Sequence, residues 1–190
     1  MSSPAVTAAV HVPGFEPEND LERAVTADPR LLEGLAWGRP RRGHPEGAVG
    51  NHVADLLRTT DEWGETGQRR SDLRFIALVH DGFKYAVSAL RPKTGENHHA
   101  MRARRFAEDY TDEERLLAAI ELHDRPYHLW RRRRRTGRVP GRRLDEMIAR
   151  LPDLPLFVRF VELDASTEGK RPEPVDWLGA ELAKRGLGGG

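Results

Sequence analysis

The sequence predicts an all-α, single-domain fold, and three observations carry that prediction. Apolar residues recur every three or four positions over long stretches, as in Val49, Val53, Leu56 and Leu57, or Leu73, Ile76 and Ala77. No segment alternates apolar and polar residues with the period of two that a half-buried strand needs. Glycine and proline turn signals separate the periodic stretches, and 190 residues suffice for one compact domain but not for two large ones.

Taken in order, residues 1–18 are small, polar and proline-rich and read as a loose arm. A short helix reads from about Asp20 to Leu35, followed by a loop from Trp37 to Gly47. Core helices read at about 47–60, 71–81 and 97–110, the last with Ala103, Phe106, Ala107 and Tyr110 facing inward. Residues 87–97 form a loop between the second and third. Thr111 and Glu114 have the spacing of a capping box, so the next helix is placed at Thr111. Its stripe is Leu116, Leu117, Ile120 and His123; the arginine run follows, and Gly137 to Gly141 ends the pattern. Further helices read at about 142–150, 154–164 and 174–185. The domain is therefore drawn at residues 19–186, with 187–190 frayed and about six to eight helices in all.

Composition narrows the chemistry. The chain has no cysteine, which excludes thiolate zinc sites, thiol catalysis and disulfides; any metal must be held by nitrogen and oxygen. No apolar run approaches the roughly 18 residues that span a bilayer, and Met1-Ser2-Ser3-Pro4 does not open a signal peptide, so a cytoplasmic protein without a membrane partner is expected. Formal net charge is only +1, yet Arg131 to Arg135 are consecutive, with Arg138, Arg142 and Arg143 close behind.

Several polar residues fall on apolar faces. His52 lies between Val49 and Leu56 on its stripe, His80 follows Ile76 by one turn, and His123 follows Ile120. Asp164 follows Phe160 and Val161. One such residue is ordinarily a satisfied core residue. Four helices that each aim an imidazole or carboxylate inward can satisfy those groups only by converging, and converging His and Asp side chains make a metal site.

The ordered set resembles the HD-domain superfamily of metal-dependent phosphohydrolases, with a first His, an adjacent His-Asp and a distant Asp. "HPEGAVGNHV" (His44 to Val53) is similar to the entry helix of the HD domain in some CCA-adding tRNA nucleotidyltransferases. "LRFIALVHDGFK" (Leu73 to Lys84) resembles the family's apolar helix ending in His-Asp-x-x-Lys, and "LFVRFVELDAS" (Leu156 to Ser166) the helix with the last Asp. The resemblance spans about residues 40–165 and implies an HD-type helical bundle. It also implies a metal set of His52, His80, Asp81 and Asp164, extended in many members by two histidines that allow a second metal. Here "HAMRARRFAEDY" (His99 to Tyr110) and "AAIELHD" (Ala118 to Asp124) supply His99 and His123. His98 competes for the third-helix position, and helical phase favours His99. Asp81, with two oxygens, is the natural bridge. One departure is that Gly82 and Phe83 stand in the reverse of the family order, which leaves the placement of Lys84 open.

The resemblance implies one or two divalent metal ions (manganese, iron, nickel, zinc or magnesium) and hydrolysis of a nucleotide or other phosphate ester, with Asp81 and Lys84 as catalytic residues. Lys84, His98, Arg131 and Lys170 are the candidate substrate contacts. Each has a plainer alternative: Lys84 as a solvated helix end, Lys170 with Ser166, Thr167 and Gly169 as an ordinary loop, and the arginines as a solvated face rather than a polyphosphate or nucleic-acid contact. Tyr127 and Trp130 read equally as base-stacking or core residues. Asp124 reads as an orienting group for His123 or a surface cap. His44 and Glu46 are candidates to reach substrate from before the His52 helix. Two other functions share the pattern: a di-iron oxygenase, as in myo-inositol oxygenase, and a non-catalytic module that binds nucleic acid through Arg131–Arg135.

Overall fold

Asn19 starts the first helix by accepting a hydrogen bond from the Glu22 amide, with Asp20 and Glu22 placing negative charge at its positive end. This helix, α1 (Asp20–Thr26), is separate from α2 (Pro29–Ala36), although the pattern from 20 to 35 reads as one. Pro29 forces the break: the residue before a proline avoids helical geometry, and Asp28 is extended and caps the Arg30 amide instead. The computed structural model describes residues 11–41 and 45–188. Across them the chain continues as α3 (Val49–Glu62), α4 (Gly67–Val79), α5 (His99–Ala107), α6 (Glu114–Leu122), α7 (Arg125–Thr136), α8 (Gly141–Ile148), α9 (Leu154–Ala165) and α10 (Glu173–Ala183). No β-strand occurs among the described residues, and the ten α-helices build a single all-α domain. They exceed the expected six to eight because a second proline, Pro126, separates α6 from α7 where the pattern runs on into the arginines.

α4 is the central helix. Every residue from Asp72 to Val79 is buried, which a helix tolerates only when neighbours surround it; α3, α6 and α9 do so. Its end delivers His80 and Asp81 into the middle of the bundle. Arg74, in mid-helix, is buried and donates to both oxygens of the buried Glu22 at 2.8 and 2.9 Å. A buried pair is tolerated with geometry of this quality, and losing one partner costs about 3–5 kcal/mol.

Of the arm drawn at residues 1–18, residues 1–10 lie outside the described residues, while residues 11–18 are largely exposed but tied to the domain. Val12 is buried, Glu18 accepts from Arg70 at 2.8 Å, and Arg74 donates to the Glu16 carbonyl at 3.0 Å. The charges of α4 recruit this segment, which hydrophobic periodicity does not reveal. The capping box also does not form. Thr111 Oγ1 accepts from the Glu113 amide at 3.2 Å, and the Glu114 carboxylate is taken by two Arg104 bonds of 2.8 Å. At the other end, Leu187 is exposed and residues 189–190 lie outside the described residues. No helix among the described residues is long and apolar enough to cross a membrane.

Candidate metal centre

α3 presents His52, His80 and Asp81 directly follow α4, α5 begins at His99, His123 directly follows α6, and α9 presents Asp164. The structure brings all six side chains together. His52 Nε2 is 2.9 Å from Asp164 Oδ1, and His80 Nε2 is 3.5 Å from Asp81 Oδ2 and 3.8 Å from Asp164 Oδ1. On the other side, Asp81 Oδ1 is 3.4 Å from His99 Nε2 and 3.6 Å from His123 Nε2, and the two imidazole nitrogens are 3.4 Å apart. Two groups therefore share Asp81: His52, His80 and Asp81, and Asp81, His99 and His123. One carboxylate oxygen faces each group.

The spacing fits coordination. Ligand atoms about 2.1 Å from one ion lie about 3.0 Å apart in octahedral and about 3.4 Å apart in tetrahedral geometry. The tautomers fit as well. His80 Nδ1 donates to the Ala77 carbonyl at 3.0 Å and His123 Nδ1 to the Ile120 carbonyl at 2.8 Å, which leaves an Nε2 lone pair on each aimed at the centre. Such carbonyls are one helical turn upstream, so the helix itself fixes the ring. The strongest sign is unsatisfied polarity: His80 Nε2 and Asp81 Oδ1 are buried with no hydrogen-bond partner. An orphan of this kind costs about 1–3 kcal/mol and calls for a ligand.

Electrostatics poise the same atoms. Burial disfavours the charged form of Asp81 and Asp164, but Lys84 beside the first, Lys170 beside the second and the surrounding imidazoles outweigh it, and both carboxyls titrate well below the usual range. Burial lowers the pKa of His80 and His99 against the pull of Asp81, which favours the neutral, ligating form. His123 is raised, since Asp81 and Asp124 outweigh its burial.

The centre opens into a cleft of about 570 Å³ that Asp81, His99, His123 and Asp164 line. Lys84 and Lys170 line it too. Lys84 Nζ donates to Asp81 Oδ2, and Lys170 Nζ lies 3.5 Å from Asp164 Oδ1. Gly82, directly after Asp81, lies close against α2. A side chain on Gly34 of α2 would lie 1.6 Å from the Gly82 carbonyl oxygen, so two glycines press helix against turn, while Phe83 packs on Phe106.

The remaining candidates separate. His98 does not face the centre: its Nδ1 accepts from the Ala100 amide at 3.3 Å, so a neutral ring carries its proton on Nε2, 3.3 Å from Asp124 Oδ2. Arg131 is exposed and outside the cleft lining, its guanidinium 5.6 Å from the Tyr127 ring centre. Trp130 is buried, whereas Tyr127 is 42% exposed and lines the cleft. Ser166 and Thr167 donate to the carbonyls of Leu163 and Asp164 at the end of α9. Glu46 adds to the raised pKa of Lys170, which burial opposes and Asp164 drives; His44 lies outside the described residues.

Sequence reasoning missed His128. Its Nε2 is 3.2 Å from Asp124 Oδ2, which joins His98, Asp124 and His128 into one chain at the cleft rim. The signal was present, because His128 follows Asp124 by four residues in a helix. Burial would raise the Asp124 pKa, but hydrogen bonds from His128 and His98 hold it far below. No protein-family model, curated protein or solved structure matches the chain.

Proposed function

We propose that this chain is an HD-type, metal-dependent phosphohydrolase acting on a nucleotide or other phosphate ester. The observation that carries the reading is Asp81, buried with Oδ2 beside His80 and Oδ1 beside His99 and His123, at the floor of a lysine-lined cleft. His52, His80, Asp81 and Asp164 would hold one divalent ion and Asp81, His99 and His123 a second. Such a pair supplies Lewis acidity that makes water a nucleophile near neutral pH and offsets phosphoryl charge. Lys84 and Lys170 place positive charge where phosphoryl oxygens would sit. His128, which lines the cleft and pairs with Asp124, would hand a proton to the leaving oxygen.

The test is elemental analysis of the purified protein, then a phosphate-release screen with manganese, iron, nickel, zinc or magnesium. Two bound equivalents and metal-dependent release from a nucleotide or ester support the reading. Iron with oxygen consumption and no phosphate release sinks it in favour of a di-iron oxygenase. A chain that binds no metal and releases no phosphate is a non-catalytic module.

A further inference from the structure

Arg70, Arg74, Arg104, Arg115 and Arg159 all pair with carboxylates. Arg131 to Arg135 pair with none among the described residues, and α7 contains no acidic residue. Leu129 and Trp130 anchor the helix in the core, while Arg131 to Arg135 are all exposed. Five adjacent cations without counter-charges repel one another, so the surface suits an external polyanion.

The phase of α7 ties this surface to the cleft. With 3.6 residues per turn, Tyr127 leads to Arg131 and Arg134, and His128 to Arg131, Arg132 and Arg135. Tyr127 and His128 line the cleft. The stripe thus begins at the cleft rim and runs about 10 Å along the helix to Arg135. Aromatic faces are interleaved in it: Tyr127 stacks on Trp130 at 6.0 Å, and Arg134 lies 5.2 Å from the Trp130 ring centre. Phosphate alone would need only the guanidinium groups. An exposed ring among them is what a base uses, since base–aromatic stacking and a cationic track together bind single strands.

We propose that the substrate is a single-stranded nucleic acid whose backbone follows the Tyr127–Arg131–Arg135 stripe into the cleft; this rests on the phosphohydrolase reading for the chemistry, but not for the binding. The test is fluorescence anisotropy of a labelled single-stranded oligonucleotide with the full chain over a salt series, for the wild type, Arg131→Ala/Arg135→Ala and Tyr127→Ala. The expected log–log slope is about −0.7 per phosphate neutralised, and the double arginine variant makes it shallower by about 1.4. Tyr127→Ala weakens binding roughly five- to hundredfold. No binding at low salt, or inorganic polyphosphate binding as tightly with Tyr127→Ala without effect, overturns the proposal even if mononucleotides are hydrolysed. Binding with the expected slope but no metal-dependent phosphate release upholds the surface and overturns the phosphohydrolase reading instead.

Discussion

Replacing His80 by alanine separates the metal's contribution to stability from that of packing. A ligand at about one hundred times its dissociation constant stabilises a fold by about 2.7 kcal/mol, and in a chain of this size 1 kcal/mol moves the melting temperature by about 2–4 °C. Wild-type protein saturated with its metal should therefore melt about 5–11 °C above chelated protein. In the chelated state, His80→Ala forfeits contacts with Phe160 and His123, whose ring centres lie 5.2 and 4.9 Å away. A core truncation of this kind costs roughly 2–4 kcal/mol. The substitution also removes the orphaned Nε2, whose burial costs about 1–3 kcal/mol. The central values leave a net loss of about 1 kcal/mol, so the metal-free variant should melt about 2–4 °C below metal-free wild type. The metal-induced rise should nearly vanish. Differential scanning fluorimetry with each candidate ion and with chelator reads both numbers. A variant that keeps the full rise, or a wild type that shows none with any of the five ions, refutes the reasoning.

Gly34→Ala places a methyl carbon 1.6 Å from the Gly82 carbonyl, so urea denaturation should show a loss of at least about 2 kcal/mol and metal retention should weaken; an unchanged urea midpoint counts against the contact. Asp28 accepts from Arg30 and from the Tyr110 hydroxyl, which hold its carboxyl at about 2 against an ordinary 3.8. A depressed carboxyl stabilises the fold above 3.8 and ceases to as pH falls through about 2. Asp28→Asn should therefore be less stable at neutral pH and show a flatter acid limb across that window, and parallel limbs would contradict the assignment. His128→Gln should slow hydrolysis of alkyl phosphate esters by about a hundredfold or more while sparing p-nitrophenyl phosphate, whose leaving group needs no proton. Equal loss on both substrates excludes His128 as the proton donor.

How much was legible in the sequence depended on whether the signal was local. Helical phase alone placed His52, His80, His123 and Asp164 inward and preferred His99 to His98, because a period of 3.6 residues assigns a face without any partner. The same pattern ran two helices together at Pro29 and again at Pro126, since periodicity continues through a break that only backbone geometry imposes. It also read Thr111 and Glu114 as a capping box, when Arg104 offered Glu114 a better partner.

By itself, then, the sequence determined an all-α domain, nitrogen and oxygen as the only available ligand chemistry, and which polar side chains turn toward the core. Tertiary structure alone decided that those side chains meet about one shared carboxylate, that Asp124 joins His98 and His128 at the rim, that Gly34 presses on the turn behind Asp81, and that Arg131 to Arg135 find no counter-charge among the described residues. The physical reason is range. Facing is set by neighbours three and four residues away, whereas coordination distances and charge pairing are set by residues brought together from distant parts of the chain, as His52 and Asp164 are across 112 residues.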